Sequence, residues 1–165
     1  MTEIEKVCCF TGNRSEKLHI DENEAKSLLS DAIDSAINRG FTTFITGMAE
    51  GVDTWSGEIV LSFKENNPDI KLVCALPYPD FSKKSAHIIE KADLVFHIKD
   101  KYSPFAFRAR NEWMVDHSSL VIALSSGKKG GTENTINYAT KTGKEIMKLE
   151  KKPLFRQLSF KKIYD

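Results

Sequence analysis

The stretch Ile45-Thr46-Gly47-Met48-Ala49-Glu50-Gly51-Val52-Asp53-Thr54-Trp55 constrains the fold of this chain more than any other segment. An apolar, β-branched run (41–46) stops at a glycine. A second glycine follows four residues later, and an amphipathic helical pattern begins at once. A strand that feeds a helix through a tight glycine turn leaves backbone N–H groups at the helix N-terminus without partners. Such a junction is an anion site. Two more junctions of this kind occur, at Thr11-Gly12-Asn13-Arg14 and at Gly127-Lys128-Lys129-Gly130-Gly131-Thr132. Three phosphate-competent turns in one small chain point to a nucleotide-like ligand.

Hydrophobic periodicity orders the rest of the chain around these turns. Residues 6–11 read as a first buried strand. Asp21, with Glu24 three residues on, predicts a helix N-terminus. Ala25, Leu28, Leu29, Ala32, Ile33, Ala36 and Ile37 then follow at helical spacing, and Gly40 ends the helix. Val52, Trp55, Ile59, Val60 and Phe63 form the buried stripe of a second helix. A strand at 71–76 precedes a short helix at 82–91, with Ala86 and Ile89 turned inward. After a strand at 94–98, Ser103-Pro104 predicts a cap and first turn for a helix running to about Asp116. A strand at 120–124, a helix at 132–142 capped by Thr132, and a strand at 145–149 complete the series.

These strands are short and continuously apolar rather than alternating, as expected of strands buried on both faces of a parallel sheet. Strand–helix alternation throughout predicts a Rossmann-like, doubly wound α/β domain with helices on both faces. Ligands of such sheets bind at the carboxyl ends of the strands. All three glycine turns fall at those ends, so the pattern predicts one shared crevice. Residues 1–150 form the expected single domain. Residues 151–165, where basic and apolar residues interleave, read as a tail packing on the domain or on a partner subunit.

Composition narrows the function further. A net charge of +1 over 165 residues gives no global field favouring nucleic acid or membrane. No run approaches the ~20 apolar residues of a membrane span, and the charged N-terminus shows no signal peptide. Cys8, Cys9 and Cys74 sit in strand-like runs with neither metal nor disulfide spacing, so buried reduced thiols in a cytoplasmic protein are expected. His87, His97 and His117 share no metal-ligand spacing, and no metal or cofactor is required.

Each candidate residue also has a plain structural reading. Thr11, Gly12, Asn13 and Arg14 supply a hydroxyl, close backbone and a guanidinium to an anion, or form a strand-ending turn with a surface arginine. Asp53 caps exposed N–H groups, or binds a ribose hydroxyl or a base edge. Trp55 reads as core. Gly130, Gly131 and Thr132 suit a phosphate, although the Walker order is absent. Arg110 and Asn111 share an otherwise apolar helical stripe with Phe107 and Met114. Buried polar groups there need a partner, either an internal hydrogen-bond network or the ligand.

These residues together carry a resemblance. Cys9-Phe10-Thr11-Gly12-x-Arg14 is the first element. Phe44-Ile45-Thr46-Gly47-Met48-Ala49-x-Gly51-Val52-Asp53-x-Trp55 is the second. Arg110-Asn111-x-Trp113-Met114-Val115-Asp116 and Gly130-Gly131-Thr132-x-x-Thr135-x-x-Tyr138-Ala139 follow. In this order they resemble the YpsA-like family of the SLOG superfamily, over roughly residues 7 to 148. That superfamily includes LONELY GUY phosphoribohydrolases, DNA-processing protein A, molybdenum-cofactor carrier proteins and nucleotide-signal sensors. The resemblance implies a nucleotide or nucleotide-derived ligand at the glycine motifs.

Departures from the family pattern bear on chemistry. Asn13 stands where family members often carry histidine. The hydrolase signature carries a glutamate three residues after its Gly-Thr pair; here that position is Thr135, and Glu133 is two residues, about 200°, out of phase. The segment 77–82 is also shorter than the family resemblance leads one to expect, which implies a more open site.

The leading expectation is therefore binding of a phosphate-bearing nucleotide derivative, as a sensor, carrier or sequestering protein. Backbone and hydroxyl contacts fall to Thr11, Gly12, Asn13, Gly47, Met48, Ala49, Gly51, Gly130, Gly131 and Thr132. Arg14 and Arg110 neutralise charge, and Asp53 and Asn111 orient sugar or base. The alternative is an N-glycosidic or phosphoribosyl hydrolase using Glu50, Asp53 or Glu133 as its acid or base. Nucleic-acid binding through the basic tail is the weakest alternative. Homo-oligomerisation through exposed helix faces is a further expectation.

Overall fold

The computed structural model describes residues 6–151. One sheet contains β1 (Val7–Gly12), β2 (Thr43–Thr46), β3 (Lys71–Leu76), β4 (Leu94–His97), β5 (Leu120–Leu124) and β6 (Glu145–Lys148). The strand order is β4-β3-β2-β1-β5-β6, with all five pairings parallel. Between the strands lie α1 (Glu22–Asn38), α2 (Val52–Asn66), α3 (Ala86–Lys91), α4 (Ala106–Asp116) and α5 (Gly131–Lys141). The fold is Rossmann-like, as the strand–helix alternation predicts. The chain winds outward from β1 to β4, then returns to the other side of β1 at β5. That reversal separates the loops leaving β1 and β5 and opens a crevice above them.

Each sheet face carries its own core. Cys8, Phe10, Phe44, Leu72 and Cys74 pack with residues of α1, α2 and α3. Cys9, Ile45, Val73, Ala75 and Val121 pack with Met114 and Val115 of α4 and Ala139 of α5. The adjacent Cys8 and Cys9 thus belong to opposite faces, as the twofold period of a strand requires. All three cysteines are buried free thiols. Trp55 is 8% exposed and belongs to the first core. The α1 N-terminus also forms as predicted: the Asp21 carboxylate accepts the Glu24 N–H at 2.8 Å.

Four local expectations need correction. β4 is not buried: Leu94 is 55% exposed and Phe96 42%. It is an edge strand, and on the face its register shares with Val73 and Ala75, Trp113 of α4 reaches Phe96 (ring centroids 5.2 Å apart). In α3 the buried residue is Ile88, while Ala86 is exposed and Ile89 half-buried, because a 3-10 turn at Lys83–Ser85 resets the helical phase. The α4 cap lies at Phe105, two residues after the expected one; Ser103 instead accepts the Phe105 N–H through its Oγ at 3.1 Å. Thr132 lies inside α5, whose N-cap is Gly130. The expected tail lies outside the described residues except for Lys151, which pairs with Glu24 at 3.3 Å.

Candidate functional site

The turns that follow β1 and β5 border a cavity of about 500 Å³, with the turn after β2 contributing at its base. Of the residues expected at the site, Thr11, Gly12, Asn13, Arg14, Ala49, Asp53, Arg110, Asn111, Gly130, Gly131 and Thr132 all line it. Residues separated by more than a hundred positions thus meet at the sheet's switch point. Arg14, Lys17, Lys128 and Lys129 also line the cavity, and none of them takes part in a described ion pair. A concentration of uncommitted cations around a helix N-terminus favours an anionic ligand. At α5 the cap is a glycine without a side chain. The first-turn amides of Gly131, Thr132 and Glu133 have no partner among the described hydrogen bonds.

Other expected residues lie elsewhere. Gly47, Met48 and Gly51 do not line this cavity. Gly47 matters through what passes over it: a Cβ there would sit 2.6 Å from Nη1 of Arg110. Met48, at φ 61, is wholly buried. Gly12 has the same kind of role, because a Cβ on it would sit 2.4 Å from the Val52 side chain. Two of the glycines thus allow the close approach of a neighbouring side chain, Arg110 at Gly47 and Val52 at Gly12. Glu50 is largely exposed in a separate depression, 3.8 Å from Lys84. Glu133 accepts from Ser125 Oγ at 3.2 Å and lines a different pocket, beside Lys148 and Leu149. Of the three candidate carboxylates, only Asp53 faces the crevice.

Asn13 ties two of the junctions together. Its Oδ1 accepts the Ser126 N–H at 2.7 Å, and its own N–H donates to the Leu124 carbonyl at 3.3 Å. The third turn is thereby fastened to the first, and the amide's NH2 group is left for other partners.

Arg110 resolves the choice between network and ligand by serving the network while lining the cavity. Only 4% exposed, it donates through Nη1 to the carbonyls of Gly47 and of Ala75, and through Nε to Asn111 Oδ1 at 2.8 Å. Phe81 lies 5.7 Å from the guanidinium carbon. Burial lowers the Arg110 pKa, against the opposing charge of Asp53. Asp53, 6% exposed, accepts the Ala49 N–H at 3.2 Å through Oδ2. It caps a loop amide rather than a helical one. Burial raises its carboxyl pKa from 3.8 to about 6, and the Arg110 charge and the Ala49 bond only partly oppose this. A carboxyl group at that value can hold or release a proton near neutrality.

Lys17, His19 and Glu16 were not expected at the site, yet they line it. They enter through a 3-10 turn at Ser15–Lys17 that bends the chain back over the crevice. Its sequence, Ser-Glu-Lys, carries no periodicity that could have announced it. Phe107 was visible only as a helical-face residue. It stands in an aromatic cluster with Tyr78, Phe81 and Tyr102, at centroid separations of 5.9, 5.6 and 6.4 Å. Among the described residues no cluster of three or more His, Cys, Asp or Glu stands at metal-holding distance. No described helix is long and apolar enough to cross a membrane.

Fold and crevice define a doubly wound α/β domain whose ligand-competent turns meet at the switch point of its sheet. The family model YpsA, described as the YspA SLOG family, matches residues 8–162, and the chain belongs to that family. It is 34% identical over 119 residues to YoqJ, an uncharacterized SPbeta prophage-derived protein of Bacillus subtilis (strain 168), covering 60% of this chain and 70% of the relative. It is 29% identical over 159 residues to a UPF0398 protein of Bacillus anthracis (strain A0248), covering 86% and 85%. Three solved structures share the fold. DNA processing protein A from Helicobacter pylori, described for a unique single-stranded DNA binding mode, superposes with a TM-score of 0.66 at 15% identity, over 98% of this chain and 76% of that one. The Streptococcus pneumoniae protein of the same name gives 0.61 at 16%, over 91% of this chain and 52% of that one, so this chain spans about half its length. The molybdenum cofactor carrier protein of Chlamydomonas reinhardtii gives 0.57 at 18%, over 87% and 76%.

Proposed function

We propose that this protein binds a phosphate-bearing nucleotide or nucleotide-derived molecule in the crevice above β1 and β5, as a sensor, carrier or sequestering protein. The observation that carries this reading is the meeting of Arg14, Lys17, Lys128 and Lys129 with the uncapped amides at the start of α5. Pre-placed backbone donors and mobile cations bind phosphate without a metal. The relatives frame the choice of ligand: one solved neighbour carries a cofactor and another binds single-stranded DNA. The net charge of +1 favours the small ligand, because a polyanion needs many phosphate contacts at once. Isothermal titration with AMP, ADP-ribose and inorganic pyrophosphate, repeated on a Lys128→Ala/Lys129→Ala variant, tests the reading. Affinity should fall at least tenfold in the variant. Wild-type protein that binds none of the three refutes it.

A second reading, hydrolysis of an N-glycosidic or phosphoribosyl bond, is favoured by Asp53 alone. It is a buried carboxyl group facing the crevice with its pKa raised to about 6. A general acid near neutrality needs such a group. Base release from nucleoside monophosphates, lost in Asp53→Asn while AMP binding persists, would establish turnover. No base release from wild-type protein would refute this reading.

A further inference from the structure

A second cavity, also of about 500 Å³, adjoins the cationic one and is not accounted for by phosphate recognition. It lies between α4 and α5, and Phe107, Asn111 and Gly131 line both spaces. The two chambers differ sharply in chemistry. The first carries Arg14, Lys17, Lys128 and Lys129 outside any described ion pair, beside the buried Arg110. In the second, Arg108 is engaged by Glu112 at 2.8 Å, Lys141 is the one cation outside a described ion pair, and the remaining polar lining is neutral: Asn111, Asn134, Thr135, Asn137 and Tyr138. The side chains of Asn134 and Asn137 make no described hydrogen bond, and the Asn111 NH2 is free because only its Oδ1 serves Arg110. At the far end Tyr138 donates to Asp116 at 2.7 Å, tying α5 to α4 there.

We infer that this groove between α4 and α5 receives the base of a nucleoside phosphate whose phosphate occupies the cationic chamber. The inference rests on the proposed function and adds to it where the ligand runs and what reads it. A carboxamide offers two donors and an acceptor, matching the mixed donor–acceptor edge of a nucleobase, whereas a phosphate uses only its donors. Phe107 stands at the junction, held by three aromatic neighbours, and supplies an apolar surface between the two ends. Space of this size, with an apolar surface at Phe107 and Pro104 beside orienting polar groups, is large enough for a nucleobase. The ligand class is thus a nucleoside phosphate recognised at both ends, rather than a simple sugar phosphate.

Asn134 and Asn137 are exposed helical positions, so Asn134→Leu/Asn137→Leu keeps side-chain bulk and the fold while removing the amides. Titration of wild type and variant with AMP and with ribose 5-phosphate separates the two chambers. AMP should bind wild type at least tenfold tighter than ribose 5-phosphate. The variant should lose roughly three- to tenfold in AMP affinity for each amide removed, with ribose 5-phosphate unchanged. AMP should also shift the NMR signals of the Asn134 and Asn137 side-chain amides, whereas ribose 5-phosphate should not. Equal wild-type affinity for AMP and ribose 5-phosphate, or AMP affinity in the variant within twofold of wild type, overturns the base-binding groove and leaves phosphate binding standing. Failure of both probes to bind wild type overturns the phosphate reading and this one with it.

Discussion

The Asp53 carboxyl group costs the folded protein stability, and replacing it by an amide should show how much. Its pKa rises from 3.8 to about 6 on folding, with burial as the largest cause. Well below pH 3.8 the group is protonated in both folded and unfolded chains and contributes nothing to the difference between them. Between about 4 and 6 the folded protein keeps a proton that the unfolded chain has released. Stability therefore falls as pH rises through that window. Above about 6 the penalty is complete. A shift of roughly two pKa units corresponds to about 3 kcal/mol at 1.36 kcal/mol per unit.

Asp53→Asn keeps an oxygen able to accept the Ala49 N–H and removes the charge. At pH 7.5 the variant should therefore be more stable than wild type by up to about 3 kcal/mol, and most of that difference should be gone by pH 4. For a domain of this size that is a rise in Tm of roughly 6–12 °C. Urea denaturation of both proteins at pH 4, 5, 6 and 7.5 provides the comparison, and the difference between them cancels the other titrating groups. A variant less stable than wild type at pH 7.5 would refute the reasoning: it would mean that attraction to Arg110 outweighs desolvation. A carboxylate retained at such a cost in a ligand-lined crevice fits a binding or proton-handling role, since functional sites commonly sacrifice stability.

Other consequences follow from single contacts. Gly12→Ala brings a Cβ within 2.4 Å of Val52, so urea denaturation should show a loss of about 1–3 kcal/mol, largely restored in Gly12→Ala/Val52→Ala. Asn13→Ala removes the acceptor of the Ser126 N–H; stability should fall by about 1 kcal/mol, and hydrogen exchange at Ser126 should quicken relative to the β5 amides. Asp21→Ala deletes the α1 cap bond to Glu24 and should cost about 1 kcal/mol in thermal denaturation.

The sequence disclosed the architecture because period and punctuation agree along most of it. Asp21 caps α1 where the pattern places it, Gly40 follows the helix with φ 96, and β3 occupies 71–76 without a shift. Misreadings arise where tertiary position overrides local pattern. The run at 94–98 is as apolar as its neighbours, yet β4 is exposed. An edge strand is defined by what fails to cover it, and no residue inside β4 encodes that. Ser103 and Thr132 are good capping residues that lost the position to a neighbour, Ser103 by turning its Oγ to Phe105 and Thr132 by entering α5.

The site was legible to the extent that its residues sit on punctuated turns. Thr11 to Arg14 and Gly130 to Thr132 could be read because a glycine at a strand end is a backbone statement. Lys17 and His19 reach the same cavity through a 3-10 turn without sequence signal. Spacing sets Glu133 out of phase with the hydrolase signature but does not separate Glu50 from Asp53, since both stand beside the same glycines. Burial ranks them. Glu50 is solvated beside Lys84, Glu133 turns to Ser125, and Asp53 alone is enclosed against the crevice. The glycine spacing of a loop therefore says where an anion can sit. Whether an acid there is moved toward neutrality depends on the dielectric that the fold builds around it, and among the three candidates burial does this to Asp53.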